Sequence, residues 1–383
     1  MNRREFLATT GAATVSVAWG ARPAYAAAGG YGNVLVLVEL QGGNDGLNTV
    51  IPFADPAYYA LRPQLAIPRE QVLGLDAVTG LHPSLQPLLA LWQARELAIV
   101  RGVGYPEANL SHFRSIEIWD TASRSNEYLP DGWLARAFRL NPAPREFAAD
   151  GVVVGTGMGP FTGGARAVTI TSTEQFLRQA RLAQPAAMAG SGALAHILKI
   201  EREVAQAAAG LSGNHVFSTQ FPAGPFGNAV RTAAQVIAAQ PGVAAVKIGL
   251  GSFDTHRGQL ATHARLLKDL AEGLSALKSA LVELQRWDSA LVMTYSEFGR
   301  RAAENGSGGT DHGTAGAHFA MGGRVRGGLY GEMPALTRLD RNGNMAHNVD
   351  FRDLYATVLG QWWGNAPESA LGGRFQPVGF VRT

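Results

Sequence analysis

The sequence predicts an α/β fold, a three-layer sandwich in which helices cover both faces of a central, mostly parallel sheet. Three observations lead to this prediction. Short apolar runs alternate with longer segments of helical periodicity. The runs at 33–40 and 290–295 are apolar at nearly every position, which is typical of strands buried on both faces. The 383 − 26 = 357 residues that follow a predicted leader can bury one large core.

The first 26 residues form the predicted leader, an export signal. Arg3-Arg4 precede a weakly apolar stretch, and 24–26 supply the small residues that a signal peptidase requires. Twin arginines with a mild apolar core predict the twin-arginine translocase as the export partner. No other stretch approaches the ~20 apolar residues of a membrane span. We therefore expect 27–383 to be one domain, periplasmic or secreted, with no transmembrane anchor in the mature chain.

The charge of the chain gives no argument for nucleic acid or an anionic membrane as partner. Removing the leader takes away three arginines and one glutamate, which leaves 33 − 3 = 30 basic and 30 − 1 = 29 acidic side chains. A nearly neutral body predicts no nucleic acid and no anionic membrane as partner. Cysteine is absent, which excludes disulfides, thiolate zinc sites and cysteine nucleophiles.

The first half of the chain opens with a strand at 33–40. A helix at 85–93, with Ser84 as candidate N-cap, comes before a strand at 97–103 and a loop that enters a helix at 110–121. The segment 123–225 is less regular, and we interpret it as a cap or insertion beside the sheet. Its recognisable elements are β-like runs at 151–154 and 167–171 and a helix near 193–209.

Regular alternation of helix and strand returns after residue 225. The long segment before 290 carries leucines near helical spacing, which predicts an amphipathic helix. In chain order the predicted elements are a helix at 228–239, a strand at 243–250, a helix at 259–286, strands at 290–295 and 317–322, and a closing helix at 350–363.

Residues with catalytic or metal-binding chemistry follow the predicted strands. Glu297 comes directly after the strand at 290–295, and a glycine-rich loop then leads to Asp311 and His312. Open α/β sheets place ligand sites at the carboxyl ends of their strands, so acid and imidazole here favour a metal or hydrolytic site. The alternative is a polar loop that caps a helix. Arg300 is a candidate to hold an anionic substrate or, alternatively, forms a solvated ion pair.

Two further candidates follow the strands of the first half. Asp45 lies in a Gly-Gly-Asn-Asp-Gly loop, where a carboxylate suits a hard cation, although Asn-Asp pairs also favour plain turns. Ser111 lies near a helix start, where backbone N–H groups favour anions. Its hydroxyl becomes a nucleophile if a metal or a base lowers its pKa. The alternative for Ser111 is a helix N-cap, and the two roles are compatible.

The strand at 243–250 ends in a fourth group, in which Asp254 and His256 are two residues apart. Imidazole and carboxylate suit zinc, manganese or iron(II), and the alternative is a hydrogen-bonded structural pair. Taken together, these acids and histidines predict a one- or two-metal centre with a serine between ion and substrate. In two-metal hydrolysis the ions stabilise both the attacking and the leaving oxygen.

The motif set resembles the DUF1501 family of exported bacterial proteins over nearly the whole mature chain. The motifs are the twin arginines, QGGNDGLN, SHFRS, FDTH, SEFGR, TDHG and VDFRDLYATVL. That family resembles the alkaline phosphatase/sulfatase superfamily in fold. The resemblance implies an alkaline-phosphatase-like sheet with a metal site at the strand ends. It implies metal ligation by Asp45, Asp254, His256, Glu297 and His312 and a nucleophilic role for Ser111.

Two departures from the superfamily pattern bear on the second metal. Asp254 and His256 are two residues apart where the superfamily has a spacing of four, and Phe298 stands where it has a histidine after the carboxylate. The sulfatase signature is also missing, because there is no cysteine and no proline at the second position after Ser111.

The function expected from the sequence is an exported metal-dependent hydrolase of phosphate or sulfate esters. Ser111 and Arg300 would act on an anionic small-molecule or polymer ester, and Asp311 would orient His312 or ligate directly. One or two divalent ions would be zinc, manganese, calcium or magnesium. The alternative is a non-catalytic periplasmic binding or assembly protein on a degenerate hydrolase fold. A polysaccharide-modifying enzyme is a weaker alternative, suggested by the seven tryptophans.

Overall fold

The computed structural model describes residues 30–172, 215–240 and 242–382. The predicted leader and the predicted helix near 193–209 lie outside these ranges. The described strands, in chain order, are β1 (Val34–Leu40), β2 (Val50–Ile51), β3 (Leu73–Gly74), β4 (Gly80–Leu81), β5 (Leu97–Gly104), β6 (Ala149–Val154), β7 (Ala167–Ile170), β8 (Val243–Leu250), β9 (Ala290–Tyr295), β10 (Gly299–Arg300), β11 (His312–Gly313), β12 (Gly316–Met321), β13 (Gly328–Tyr330) and β14 (Val349–Asp350).

Helices of the described residues range from single turns to one of seven turns. In chain order they are α1 (Gly46–Thr49), α2 (Pro56–Leu61), α3 (Leu89–Gln93), α4 (His112–Thr121), α5 (Trp133–Leu140), α6 (Pro225–Ala238), α7 (Gln259–Glu283), α8 (Phe351–Ala356) and α9 (Glu368–Leu371). The predicted strands at 243–250 and 290–295 have the predicted bounds.

Nine strands form one sheet in the order β13-β5-β12-β9-β1-β8-β6-β7, with β14 beside β5. β1 pairs in parallel with β8 and β9, while β12 pairs antiparallel with both β9 and β5. β5 therefore runs in the same direction as β9. The predicted mostly parallel sheet is confirmed, and the carboxyl ends of β1, β5, β8 and β9 share one edge with the start of β12.

Both faces of this sheet are covered by helices. Val36 and Val38 of β1 pack in an apolar layer with side chains of α6 and α7, while Leu35 and Leu37 pack in a second layer with α4, α5 and α8. Every residue of β1 is buried. The nearly unbroken apolar run at 33–40 follows from this, because alternate residues face opposite layers and neither layer admits water.

The predicted helix at 85–93 begins differently from the prediction. Residues Pro83–Leu88 form a 3₁₀ helix, and α3 continues it. Ser84 is not the N-cap, because the ring of His82 takes that position and accepts a hydrogen bond from the Ser84 N–H at 3.1 Å. Pro87 lies inside the 3₁₀ turn and has no N–H to donate, which disfavours α-helical bonding there.

Two other predicted segments are also revised. β6 and β7 lie in the segment 123–225 that we interpreted as a cap or insertion, yet they extend the main sheet beyond β8. The predicted helix at 350–363 is α-helical only to Ala356 and continues as a π-helix over Thr357–Trp362. Within the described ranges, no helix combines the length and the apolar character that crossing a membrane requires.

Candidate metal centre

The segments that follow β5, β8 and β9 meet at the carboxyl edge of the sheet. β8 leads directly into the loop that carries Asp254 and His256, and β5 leads toward the first turn of α4, which begins at His112. β10 and β11 form a short antiparallel hairpin in which Arg300 pairs with His312. This hairpin delivers His312 just before β12 enters the sheet from the same edge, so residues distant in sequence converge here.

Three histidines direct their Nε2 atoms at the carboxylate of Asp254. The Nε2 atoms of His256 and His312 each lie 3.1 Å from Asp254 Oδ1, and that of His112 lies 3.4 Å from Oδ2. The two Nε2 atoms of His256 and His312 are 3.0 Å apart. Ligand atoms of His112, Asp254 and His312 all lie within 4.8 Å of one another. His112, Asp254 and His312 thus surround one point, and His256 lies beside Asp254 and His312.

Each imidazole is anchored through its other nitrogen. His312 Nδ1 lies 2.9 Å from the Leu110 carbonyl, and His256 Nδ1 lies 3.3 Å from Asp311 Oδ1. A carbonyl oxygen accepts but cannot donate, so the proton of neutral His312 is on Nδ1 and the Nε2 lone pair faces Asp254. The side chain of Asn305 donates to Asp311 at 3.2 Å, and this hydrogen bond is the largest cause of the lowered pKa of Asp311.

The third histidine is held by a buried glutamate. Glu297 Oε1 lies 3.0 Å from His112 Nδ1 and also accepts a hydrogen bond from the backbone N–H of Gly42 at 2.7 Å. Glu297 is only 5 % exposed, whereas the side chain of His112 is 37 % exposed. Glu297 therefore fixes the orientation of a ring whose outer nitrogen remains accessible. Such anchoring of metal-ligating histidines is common in metalloproteins.

Charge in the cluster favours the ligand forms of these groups. Burial by itself would raise the pKa of Asp254, but the hydrogen bond and the positive charge of Arg300 help to outweigh it and hold this pKa at about 2. Burial lowers the pKa of His312, which favours the neutral imidazole at pH 7. A carboxylate and a neutral imidazole are the forms that bind a metal ion.

The separations between donor atoms fit a tetrahedral ion. Zinc binds imidazole and carboxylate at about 2.0–2.1 Å, and tetrahedral geometry then places neighbouring ligand atoms about 3.3–3.4 Å apart. The three separations between Asp254 and the histidine Nε2 atoms are 3.1, 3.1 and 3.4 Å, and His112, Asp254 and His312 form the group whose ligand atoms all lie within 4.8 Å of one another. The residues present therefore fit one small, borderline-soft divalent cation.

The structure divides the predicted ligands into two groups. Asp254, His256 and His312 lie together in the cluster, whereas Glu297 and Asp311 contact the far nitrogens of histidines and serve as their anchors. The prediction that Asp311 orients His312 is revised, because its partner is His256.

Asp45 does not join the cluster. Its buried carboxylate accepts hydrogen bonds from the backbone N–H groups of Leu47 and Asn48, from Gln259, and from Arg62 at 2.6 Å. These contacts cap α1 and form a buried ion pair. The predicted role as a metal ligand is thus replaced by a structural one, because the carboxylate is buried and both of its oxygens already accept hydrogen bonds from these groups.

Arg300 is also a structural residue in this arrangement. Its guanidinium has no exposed surface and donates to the carbonyls of Gly42, Gly43, Phe253 and Thr310, as well as to Asp254 Oδ1 at 2.6 Å. The predicted contact with a substrate anion is therefore not supported, because every face of the side chain is covered by protein. Arg300 instead ties three loops to Asp254.

Ser111 occupies the N-cap position of α4, but its hydroxyl makes no capping hydrogen bond. The residue is exposed, and the side chain of Asn109 accepts from its backbone N–H at 2.9 Å. The N-cap position is thus confirmed while the hydroxyl is left available. Ser111 adjoins His112 and stands at a helix start that favours anions.

His112 is the member of the cluster that the sequence motifs did not identify as a candidate ligand. Its place at a helix start after β5 puts it on the same edge as the other histidines. Phe298 lies against two of these histidines, with ring centroids 5.0 Å from His112 and 4.4 Å from His312. An apolar ring thus stands where a second imidazole was expected, so the cluster offers ligands for one ion.

We expect the anchoring carboxylates to tune metal affinity without binding the ion themselves. Glu297→Gln and Asp311→Asn should each weaken zinc binding by about 10- to 100-fold, because the histidine loses a charged acceptor that orients it. Isothermal titration calorimetry on the metal-free protein measures this change. Glu272→Gln, in an exposed ion pair on α7, is the control and should leave affinity unchanged. Complete loss of binding in Asp311→Asn would instead indicate direct ligation.

The fold and the site define an α/β protein with a histidine-rich candidate metal centre at the carboxyl edge of its sheet. Residues 79–369 match the family described as "Protein of unknown function (DUF1501)". The chain belongs to this family, which confirms the resemblance predicted from its motifs. The comparison with curated proteins found no match.

Solved structures that are similar to this chain have low sequence identity to it and TM-scores below 0.5. A protein in the alkaline phosphatase superfamily from Vibrio parahaemolyticus is 10% identical, with a TM-score of 0.39 over 89% of this chain and 69% of that one. A phosphonate monoester hydrolase from Silicibacter pomeroyi is 10% identical (TM-score 0.42, 90% and 75%). A sulfatase from Pseudoalteromonas sp. is 10% identical (TM-score 0.36, 92% and 74%).

Proposed function

We propose that this protein is an exported hydrolase of phosphate or sulfate esters that depends on a single metal ion. The observation that carries the proposal is the convergence of three anchored imidazoles on Asp254. The ion would be held by His112, Asp254, His256 and His312. Export by the twin-arginine route to the periplasm or beyond is part of the proposal and rests on the leader at 1–26.

The donor set favours zinc or manganese over the other candidate ions. Three of the four proposed ligands are imidazole nitrogens, whereas calcium and magnesium prefer oxygen ligands. When bound, such an ion supplies Lewis-acid stabilisation of charge on a phosphoryl or sulfuryl oxygen. The side chains of Asp254, His112 and His256 are each 37–43 % exposed, so a substrate oxygen can approach the site from solvent.

Ser111 is the proposed nucleophile. Its oxygen would attack the phosphorus or sulfur atom, lose its proton and displace the ester alcohol, and water would then hydrolyse the serine ester. Backbone N–H groups at the start of α4 would face the anionic group throughout. The substrate would be an anionic small molecule or a polymer ester. Arg300 is no longer assigned a contact with it.

The nucleophile is tested with Ser111→Ala. We expect hydrolysis of aryl phosphate or aryl sulfate esters by the zinc- or manganese-loaded protein to fall by at least about 1000-fold. The metal content should not change, because Ser111 is not among the proposed ligands. Ser279→Ala, at an exposed position on α7, is the control. If Ser111→Ala retains full activity, the nucleophile is a different group, and metal-bound water would be the first to examine.

The alternative is a non-catalytic metal-binding or assembly protein on a degenerate hydrolase fold. Two considerations favour it: the four proposed ligands would leave a tetrahedral ion no open position, as in structural zinc sites, and Phe298 fills the place of a second histidine. The two proposals differ in one measurement. Stoichiometric metal in the purified mature protein without turnover across a panel of phosphate and sulfate esters would support the alternative.

A further inference from the structure

The amino edge of the sheet, opposite the metal centre, carries a group of neighbouring arginines. Arg324 Nη2 donates to the carbonyl of Arg382 at 3.2 Å, and Arg382 Nη2 donates to the carbonyl of Arg95 at 3.2 Å. Arg95 lies two residues before β5, and the turn after β12 supplies Arg324 and Arg326 from the same side. We call this group the arginine edge: Arg95, Arg324, Arg326 and Arg382.

The arginine edge has no acidic partner within the described ranges. None of its four members forms an ion pair there, whereas Arg62, Arg139 and Arg166 each lie within 2.6 Å of a carboxylate oxygen. The neighbouring Glu96 is engaged by Lys278 at 2.9 Å. Asp288, which lies beside the turn at Gly323, is the other acid close to the group. The positive charge is therefore largely uncompensated.

The side chain of Tyr330 lies close to three of these charges. Burial raises the pKa of Tyr330, and the charges of Arg326, Arg382 and Arg95 partly oppose this increase. The Tyr330 hydroxyl donates to the Arg326 carbonyl at 2.6 Å. Three guanidinium groups thus act on one side chain, and all three are on exposed residues. They form a single positive surface rather than scattered charges.

The backbone of Arg95 gives independent evidence that a side chain is used here. Arg95 directly follows the C-cap of α3 and has a φ of +58°. Glycine is the usual residue at this position because a Cβ is strained in the left-handed region. The chain places an arginine there and holds its carbonyl by hydrogen bonds from Gly327 and Arg382. A strained residue in an exposed charged group points to a binding role.

We propose that the arginine edge binds a polysaccharide that carries sulfate or phosphate groups. The planar guanidinium pairs with such oxyanions through two parallel hydrogen bonds. None of the large hydrophobic side chains that are exposed on the described residues belongs to the segments that carry the arginine edge, so these segments offer few of the apolar contacts that bilayers, peptides and unpaired bases use. This binding does not depend on the proposed hydrolase activity, because the surface lies across the sheet from the metal centre.

The test measures binding of heparin, as a sulfated polysaccharide, to the mature protein over a range of salt concentrations. Arg326→Gln/Arg382→Gln should weaken binding by at least about fivefold and reduce the slope of log Kd against log salt by about two. Arg231→Gln/Arg338→Gln removes the same charge from exposed positions outside the group and should change neither quantity. A phosphorylated polysaccharide in parallel shows which oxyanion is preferred.

Arg95→Gly separates binding from folding. It should unfold at the same temperature as the parent or higher, because the left-handed strain is removed, yet bind heparin about threefold more weakly. The proposal is overturned by any of three results: no salt-dependent heparin binding, equal weakening in the two double variants, or binding to vesicles of anionic lipid with none to either polysaccharide. The last result would assign the surface to a membrane.

Discussion

Asp254→Asn is expected to abolish useful metal binding. The change removes the only charged ligand and the group on which all three Nε2 atoms converge. Structural zinc sites with four ligands bind with about 10–16 kcal/mol, so one ligand contributes about 3 kcal/mol, and its loss weakens binding by about 100-fold or more. Competition with a chromophoric chelator measures the zinc Kd. Asp269→Asn, in an exposed ion pair, is the matched control.

The same variant should change how the metal-free protein responds to acid. Because the folded-state pKa of Asp254 is about 2, its ionised form stabilises the fold above the unfolded-state pKa of about 4. This stabilisation is lost as the pH falls from about 4 to 2. Asp254→Asn should therefore flatten the stability profile in that window. If zinc affinity and the profile both match the parent, Asp254 is not the centre of the site.

Arg62→Met is expected to be the most destabilising of the changes considered. The guanidinium of Arg62 and the carboxylate of Asp45 are 0% and 1% exposed, so removing the cation leaves a buried, unpaired charge. Such a loss costs about 3–5 kcal/mol. Chemical denaturation measures it. Arg265→Met breaks an exposed pair with Asp269 at 3.4 Å and should cost less than about 0.5 kcal/mol.

The pH dependence of Arg62→Met provides a second measurement. Burial would raise the pKa of Asp45, but the charge of Arg62 outweighs it, so the pKa is lower than usual. Ionised Asp45 therefore stabilises the parent above its unfolded-state pKa, and this contribution disappears as the pH falls through its folded-state pKa. Without Arg62, stability should change less on acidification or increase. Equal losses for Arg62→Met and Arg265→Met would contradict this account.

The central strands of the sheet could be predicted from the sequence because a strand buried on both faces is apolar at nearly every position. β8 and β9 match the predicted bounds, and every residue of β1 is buried. β7 is a four-residue edge strand, and the segment that contains β6 and β7 lacks regular alternation, so the local pattern did not place these two strands in the sheet. The direction of each strand pairing also depends on contacts that local periodicity does not contain.

The candidate site was predictable where an acid or a histidine follows a strand or the glycine-rich loop after one. Asp254, His256 and His312 met this condition and lie in the cluster. Asp45 met it as well, but Arg62, 17 residues later, folds back against it. The different environments of neighbouring side chains also escaped prediction: Arg300 is fully buried, whereas Arg301 is 39 % exposed. These outcomes depend on tertiary partners that spacing along the chain does not reveal.

The buried guanidinium of Arg300 has a consequence for the dynamics of the site. The guanidinium joins the loops around Gly42, Phe253 and Thr310 to Asp254. The order of these loops and the binding of an ion at Asp254 should therefore be coupled. Such coupling is reciprocal, so an ion that tightens the loops is itself bound more firmly when they are tight. Metal binding should therefore slow amide hydrogen exchange in segments that contribute no ligand. The effect of the ion on backbone order would then extend beyond the residues that bind it.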